Sequence, residues 1–302
     1  MADFVSGFWN MYVMGLVALS ILFCVVILVA NSGGKAPAAG QQAELQSHVW
    51  DETLQEYNNP LPRWWMYLFW ITIIFAVVYL AMYPGFGNVK GQFGWSSIGQ
   101  YEAEMARADE QYGPIFNKYL EMDLMAVAAD SDANAMGQRM FLTYCAQCHG
   151  SAAQGARGFP NLTDNVWNWG GEPETVKATI MHGRFGVMPP FGPVLGTEGV
   201  KDVANYVRSL NGLAHDSLRA QRGKEMFDQQ CTVCHGADAT GNTMLGAPNL
   251  TNNVWVYGSS EAAIIEQIAN GRQNQMPAFG DFLGEAKVHI LAAYVLSLNQ
   301  GK

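Results

Sequence analysis

The sequence predicts a mostly α-helical chain in which two N-terminal transmembrane helices precede two small tandem domains. Three observations carry this. Residues 4–30 and 64–83 contain no Asp, Glu, Lys, Arg or His, and each run matches the roughly 20 apolar residues a helix needs to cross a bilayer. One module is written twice in the second half of the chain. Strand-like alternation of apolar and polar residues is almost absent there, whereas helical periodicity recurs. Of the 302 residues 14% are charged, with a net charge of −9. No Lys/Arg cluster offers a phosphate-binding stripe, which excludes nucleic acid as a partner.

Residues 1–33 form the first predicted span. Asp3 stands where a cleaved signal has basic residues, and the apolar run exceeds the about 7–15 residues of such a signal, although "APAAG" at 36–40 resembles a cleavage region. The span is expected to be retained, with Cys24 inside it as a small hydrophobe. Residues 34–62 are read as a cytoplasmic loop and 63–84 as the second span, with Trp64 and Trp65 as interface anchors. Two retained spans leave both chain ends outside, and Lys35 and Arg63 border the inner loop, as the positive-inside rule requires. Residues 85–130 read as a helical linker broken near Gly113–Pro114. The two domains are assigned to 131–213 and 214–302.

The duplication is detailed. "GQRMFLTYCAQCHG" (137–150) aligns with "GKEMFDQQCTVCHG" (223–236), "PNLTDNVWNWG" (160–170) with "PNLTNNVWVYG" (248–258), and "HGRFGVMPPFG" (182–192) with "NGRQNQMPAFG" (270–280). The offset is 86 residues at the cysteines and 88 afterwards, so a loop between the CHG and PNL segments absorbs two residues. Helices are expected at 132–144, 173–182 and 199–211, then at 217–230, 260–270 and 285–299. Val203, Val207 and Leu210 mark one apolar face, and Val288, Leu291, Val295 and Leu298 another. Domains this small bury little surface and usually need a staple.

The staple is what Cys145, Cys148 and His149 bind, and Cys231, Cys234 and His235 after them. C-x-x-C-H reads as half a zinc site, a redox dithiol or a c-type haem attachment site. Zinc wants a fourth ligand, but the other histidine of the first module, His182, becomes Asn270 in the second. A dithiol explains neither the repeated histidine nor the repeated methionine. Covalent haem explains each element: two thiols form thioethers, and the adjacent imidazole meets the iron. The sixth ligand is expected from "MPxFG", where Met188 and Met276 follow their histidines by 39 and 41 residues. Two covalently bound haem c groups are therefore expected, with Met188 serving the first histidine and Met276 the second. An iron with both axial positions filled exchanges electrons and offers no place for substrate, so no catalytic residue is assigned. A dihaem peroxidase would need a displaceable ligand, whereas both modules keep MPxFG.

On these residues the modules resemble class I cytochrome c domains over roughly 131–302. That resemblance implies a proline carbonyl, of Pro160 or Pro248, that accepts a hydrogen bond from each ligating histidine, and pockets lined by Trp167 and Trp255. With the two spans, the loop motif "HVWDETLQEYNNPLPRWW" (48–65) and the tandem CxxCHG modules, the whole chain resembles the membrane-anchored dihaem cytochrome c subunit of cbb3-type cytochrome c oxidases. Some members of that family have a single anchor helix; this chain carries two. The resemblance implies a bacterial inner-membrane subunit with its haem domains in the periplasm and its spans in membrane lipid. It implies electrons taken from a cytochrome c donor and passed to the catalytic and monohaem cytochrome subunits of the oxidase, with the 48–65 loop meeting the oxidase core. An alternative role, anchoring a periplasmic dehydrogenase, leaves the specific inner loop without a purpose.

Overall fold

The computed structural model describes residue 4, residues 6–34 and residues 37–299; Lys35, expected to mark the inner loop, and the terminal Lys302 lie outside the described residues. The chain forms two compact units, one up to Glu110 and one from Gln111. The first contains α1 (Gly7–Asn31), the antiparallel strands β1 (Leu45–Trp50) and β2 (Leu54–Tyr57), and α2 (Arg63–Met82).

Both helices are apolar on every side, and their large residues stay exposed, among them Phe8, Leu19, Phe23, Ile71 and Phe75. Within α1 only Leu28 is buried. Helices of this kind bury themselves in a larger core or in lipid. They pack on each other along a groove lined by Leu16, Ile21, Phe75 and Tyr79. The backbone N–H of Asn88 donates to Asn10 Oδ1 at 2.7 Å, so the start of α1 and the chain just after α2 lie at the same end of the pair. The hairpin between them turns at Asp51 and Glu52, which adopt φ of 45° and 67°.

α3 (Ser97–Leu120) continues through Gly113 and Pro114, where the sequence suggested a break. Tertiary packing overrides the local propensity: beyond the proline, Phe116 and Tyr119 pack into a hydrophobic core, and the Tyr119 hydroxyl donates to Asp130 at 3.3 Å. α4 (Leu124–Ala129) follows, then α5 (Ser131–Tyr144), whose first turn is capped by Asp130. The first repeat continues with α6 (Ala146–His149), α7 (Pro173–His182), strand β3 (Arg184–Met188) and α8 (Gly192–Leu210). The second repeats the order as α9 (Ser217–Gln230), α10 (Thr232–His235), α11 (Glu261–Asn270), β4 (Arg272–Met276), α12 (Gly280–Leu283) and α13 (Glu285–Ser297). The helices fall where apolar periodicity placed them. The two-residue length difference sits in one small turn, bridged Ala156 to Phe159 in the first repeat and Asn242 to Ala247 in the second.

The cores do not follow the order of the repeats. The first joins Phe141, Val176 and Ile180 of the first repeat to Leu283, Val288, Leu291 and Val295 at the end of the second, and adds Leu124 and Val127 of α4. The second joins Val200, Val203 and Val207, at the end of the first repeat, to Phe227, Ile264 and Ile268. Each repeat lends its last helix to the other: α13 packs on α5 and α7, and α8 on α9 and α11. Instead of one core within 131–213 and another within 214–302, two cores are built across that boundary.

The two helix crossings are built alike but are not equivalent. A Cβ on Gly137 of α5 would press on Tyr294 of α13, and a Cβ on the equivalent Gly223 of α9 would collide with the Asp202 carbonyl of α8. Both N-terminal helices thus offer a glycine notch to a C-terminal helix. α8 and α9 are joined only by residues 211–216, and consecutive elements usually pack together. Asp202, buried in that contact, accepts from Arg219 at 2.9 Å and from Arg222 at 2.7 Å. The positions aligned with Arg219 and Arg222 in α5 are Ala133 and Met136, so only the contact with α9 gives Asp202 its partners.

β3 and β4 close the exchange. They pair antiparallel, with Arg184 opposite Met276, Gly186 opposite Asn274 and Met188 opposite Arg272. The lack of strand alternation in the sequence concealed this ribbon, because each strand is five residues long and its partner lies in the other repeat.

Candidate haem sites

Each CxxCH sits on a single helical turn. Cys145 caps α6 and Cys231 caps α10, and thiols three residues apart on one turn face the same side. Gly150 and Gly236, at φ of 77° and 79°, end these turns, a left-handed conformation that favours glycine. The chain then loops back, with Gly155 N–H donating to the His149 carbonyl and Gly241 N–H to the His235 carbonyl, each at 2.8 Å.

That loop brings the prolines to the histidines. His149 Nδ1 lies 3.1 Å from the Pro160 carbonyl oxygen, and His235 Nδ1 lies 3.0 Å from that of Pro248. A carbonyl can only accept, so Nδ1 carries the proton and Nε2 keeps its lone pair for a metal. Both imidazoles are buried. Burial holds their pKa values below the ordinary histidine range, against a smaller opposing effect of the proline carbonyl. They are neutral at neutral pH, as a ligand must be.

The four cysteines are unbridged. Burial, followed by the neighbouring cysteine, pushes the Cys145 and Cys231 thiols up to about 11. A redox dithiol needs the opposite shift. Among the described residues, no group of three or more His, Cys, Asp and Glu side chains is placed to hold a bare metal ion. Paired thiols, a neutral imidazole with Nε2 free and a methionine thioether are the groups that covalent attachment and axial ligation of a haem call for.

The methionines are exchanged along with the helices. Met276 packs against the first core together with Cys145, Leu162 and Trp167. Met188 packs against the second with Cys231, Leu250 and Trp255. His182 is exposed at the end of α7. Sequence reasoning passed over four neighbours of the ribbon. Arg184 lies over the Trp169 ring, 5.1 Å from its centre, and Arg272 over Tyr257 at 4.9 Å. Each aromatic ring also reaches the loop of the other repeat, Trp169 at Gly246 and Tyr257 at Gly158. The repeated Gly-Arg four residues before each methionine was the available signal for the arginines.

A family model described as "Cytochrome C oxidase, cbb3-type, subunit III" matches residues 132–207 and 218–295. The chain belongs to this family. A second model, "N-terminal domain of cytochrome oxidase-cbb3, FixP", matches residues 42–90, so the β1–β2 segment and α2 are family features and not an unrelated anchor. The chain is 46% identical to "Cbb3-type cytochrome c oxidase subunit CcoP" of Rubrivivax gelatinosus, over 99% of this chain and 98% of the relative. It is 40% identical to "Cbb3-type cytochrome c oxidase subunit FixP" of Bradyrhizobium sp. (strain ORS 278), over 84% of this chain and 94% of the relative. The subunit is thus a membrane-associated electron-transfer component of a bacterial cbb3-type oxidase that binds haem c and assembles with other oxidase subunits.

Proposed function

We propose that this subunit carries two haem c groups whose axial ligands cross between the repeats. One is attached through Cys145 and Cys148 and held by His149 and Met276; the other is attached through Cys231 and Cys234 and held by His235 and Met188. The observation that carries this is the β3–β4 ribbon, which sets each methionine against the core containing the other repeat's CxxCH. Pro160 and Pro248 orient the two imidazoles and raise their basicity. With both axial positions filled, a bound haem supplies one-electron exchange, and a methionine ligand raises its potential.

In this reading the haem units face the periplasm, accept electrons from a cytochrome c donor and deliver them to the monohaem and catalytic subunits. The common end shared by the start of α1 and the chain after α2 supports placing both on one side of the membrane. A reporter fused near Gly40 is expected to behave as cytoplasmic and one fused after Lys302 as periplasmic; the reverse pattern would overturn the orientation.

The haem count is checked by intact mass. After acid extraction the full chain is expected to retain two haem masses, and the double variants Cys145→Ser/Cys148→Ser and Cys231→Ser/Cys234→Ser to retain one each. A single covalent haem in the unaltered chain, or zinc without porphyrin, would end the reading.

A further inference from the structure

The two arginines of the ribbon hold equivalent places but differ in their hydrogen bonds. Arg184 lies opposite Met276 and Arg272 opposite Met188, and directly paired residues project to the same face of a sheet. Each guanidinium therefore shares a face with a proposed axial methionine and is stacked on its own aromatic ring. Arg184 Nε donates to Thr179 Oγ1 at 2.9 Å. The equivalent position in the second repeat is Gln267, whose amide instead donates back to the Ala263 carbonyl at 3.0 Å. Arg272 keeps an ion pair to Glu266 at 2.9 Å, but its Nε is buried without an acceptor.

Such a donor is costly. An unsatisfied buried polar group loses its hydration without a replacement, and a charged one loses more, so native structures rarely keep one without a reason. A guanidinium fork suits a carboxylate best, and Glu266 already engages its other arm. Haem brings two propionate carboxylates into the pocket that Met188 closes.

We propose that Arg272 donates its Nε–H to a propionate of the haem attached at Cys231 and Cys234, and thereby raises the potential of that haem above what its axial ligands alone would set. This rests on the pairing of His235 with Met188 given above. Oxidation adds a positive charge at the iron, so a fixed cation nearby disfavours the oxidised state. Hydrogen bonding around the cofactor and burial tune haem potentials in the same way.

The test uses the full-length Cys145→Ser/Cys148→Ser variant, in which the second haem alone remains, followed by optical redox titration and resonance Raman spectroscopy. Arg272→Gln is expected to weaken reduction about tenfold, which is about 59 mV for one electron. It should also displace the propionate bending band while leaving the near-infrared sulfur-to-iron band in place. Arg272→Lys, which keeps the charge but loses the planar fork, is expected to restore most of the potential and not the Raman band. An unchanged potential and Raman band in Arg272→Gln would overturn the proposal. Loss of the sulfur-to-iron band in that variant would overturn it too, because Arg272 would then act by holding the methionine strand. Where Arg272→Gln does not fold, an unaltered Raman band in Arg272→Lys is the overturning result. Failure of the axial assignment is read separately, as persistence of the sulfur-to-iron band in Met188→Ala.

Discussion

In a chain whose first CxxC has been disabled by Cys145→Ser/Cys148→Ser, Met188→Ala is expected to abolish the near-infrared sulfur-to-iron band, whereas Met276→Ala leaves it in place. The reciprocal background, Cys231→Ser/Cys234→Ser, should invert the result. Order along the chain would assign Met188 to His149, 39 residues before it. The cores place it elsewhere: Met188 packs against the core that holds Cys231 and is flanked by Trp255, and Met276 against the core flanked by Cys145 and Trp167. Loss of a thioether ligand also lowers the potential, so a redox titration of the same variants gives an independent reading. Disappearance of the band with the methionine of the same repeat in both backgrounds would return the ligands to sequence order.

The second large effect concerns fragments. Residues 131–213 expressed alone are expected to be degraded or to form a loose helical species. Residues 184–276 are expected to fold with a single His/Met haem. The first fragment has α5 and α7 without α13, so Phe141, Val176 and Ile180 lose their cover, and it has the α8 face of Val200, Val203 and Val207 without α9 or α11. Each such side chain left in water forfeits about 1.5–3 kcal/mol, against a total stability of about 5–15 kcal/mol for a whole domain. The second fragment contains α8 through α11, the His235 turn, Met188 and both strands of the ribbon. Limited proteolysis and the visible spectrum of each fragment distinguish the outcomes, and a stable His/Met cytochrome from 131–213 would contradict the exchanged cores.

The local chemistry was legible because it is written in short segments. CxxCH occupies five consecutive residues, and the spacing to Pro160 and Pro248 is set by one tight loop. The helix periods, the two charge-free runs and the duplication were readable for the same reason: each depends on neighbours within a few turns. Where an element had an outside partner, local signals failed. Pro114 did not end α3, because Phe116 and Tyr119 beyond it are held by a core. β3 and β4 had no visible pattern, because each five-residue strand exists through its pairing with a segment from the other repeat.

What the sequence determined by itself is therefore the class of site, its donor atoms, its duplication and the helices that carry it. Which core each methionine joins was decided by the tertiary structure. Two repeats share a glycine notch, at Gly137 and Gly223, and an apolar face on the last helix, so these shared features do not choose a pairing; Asp202 with Arg219 and Arg222 has no counterpart in the other contact, where Ile290 faces α5. That contact and the short connection of residues 211–216 make α8 and α9 neighbours and leave α13 to complete the first core. The β3–β4 ribbon follows from that exchange, and with it the place of each methionine.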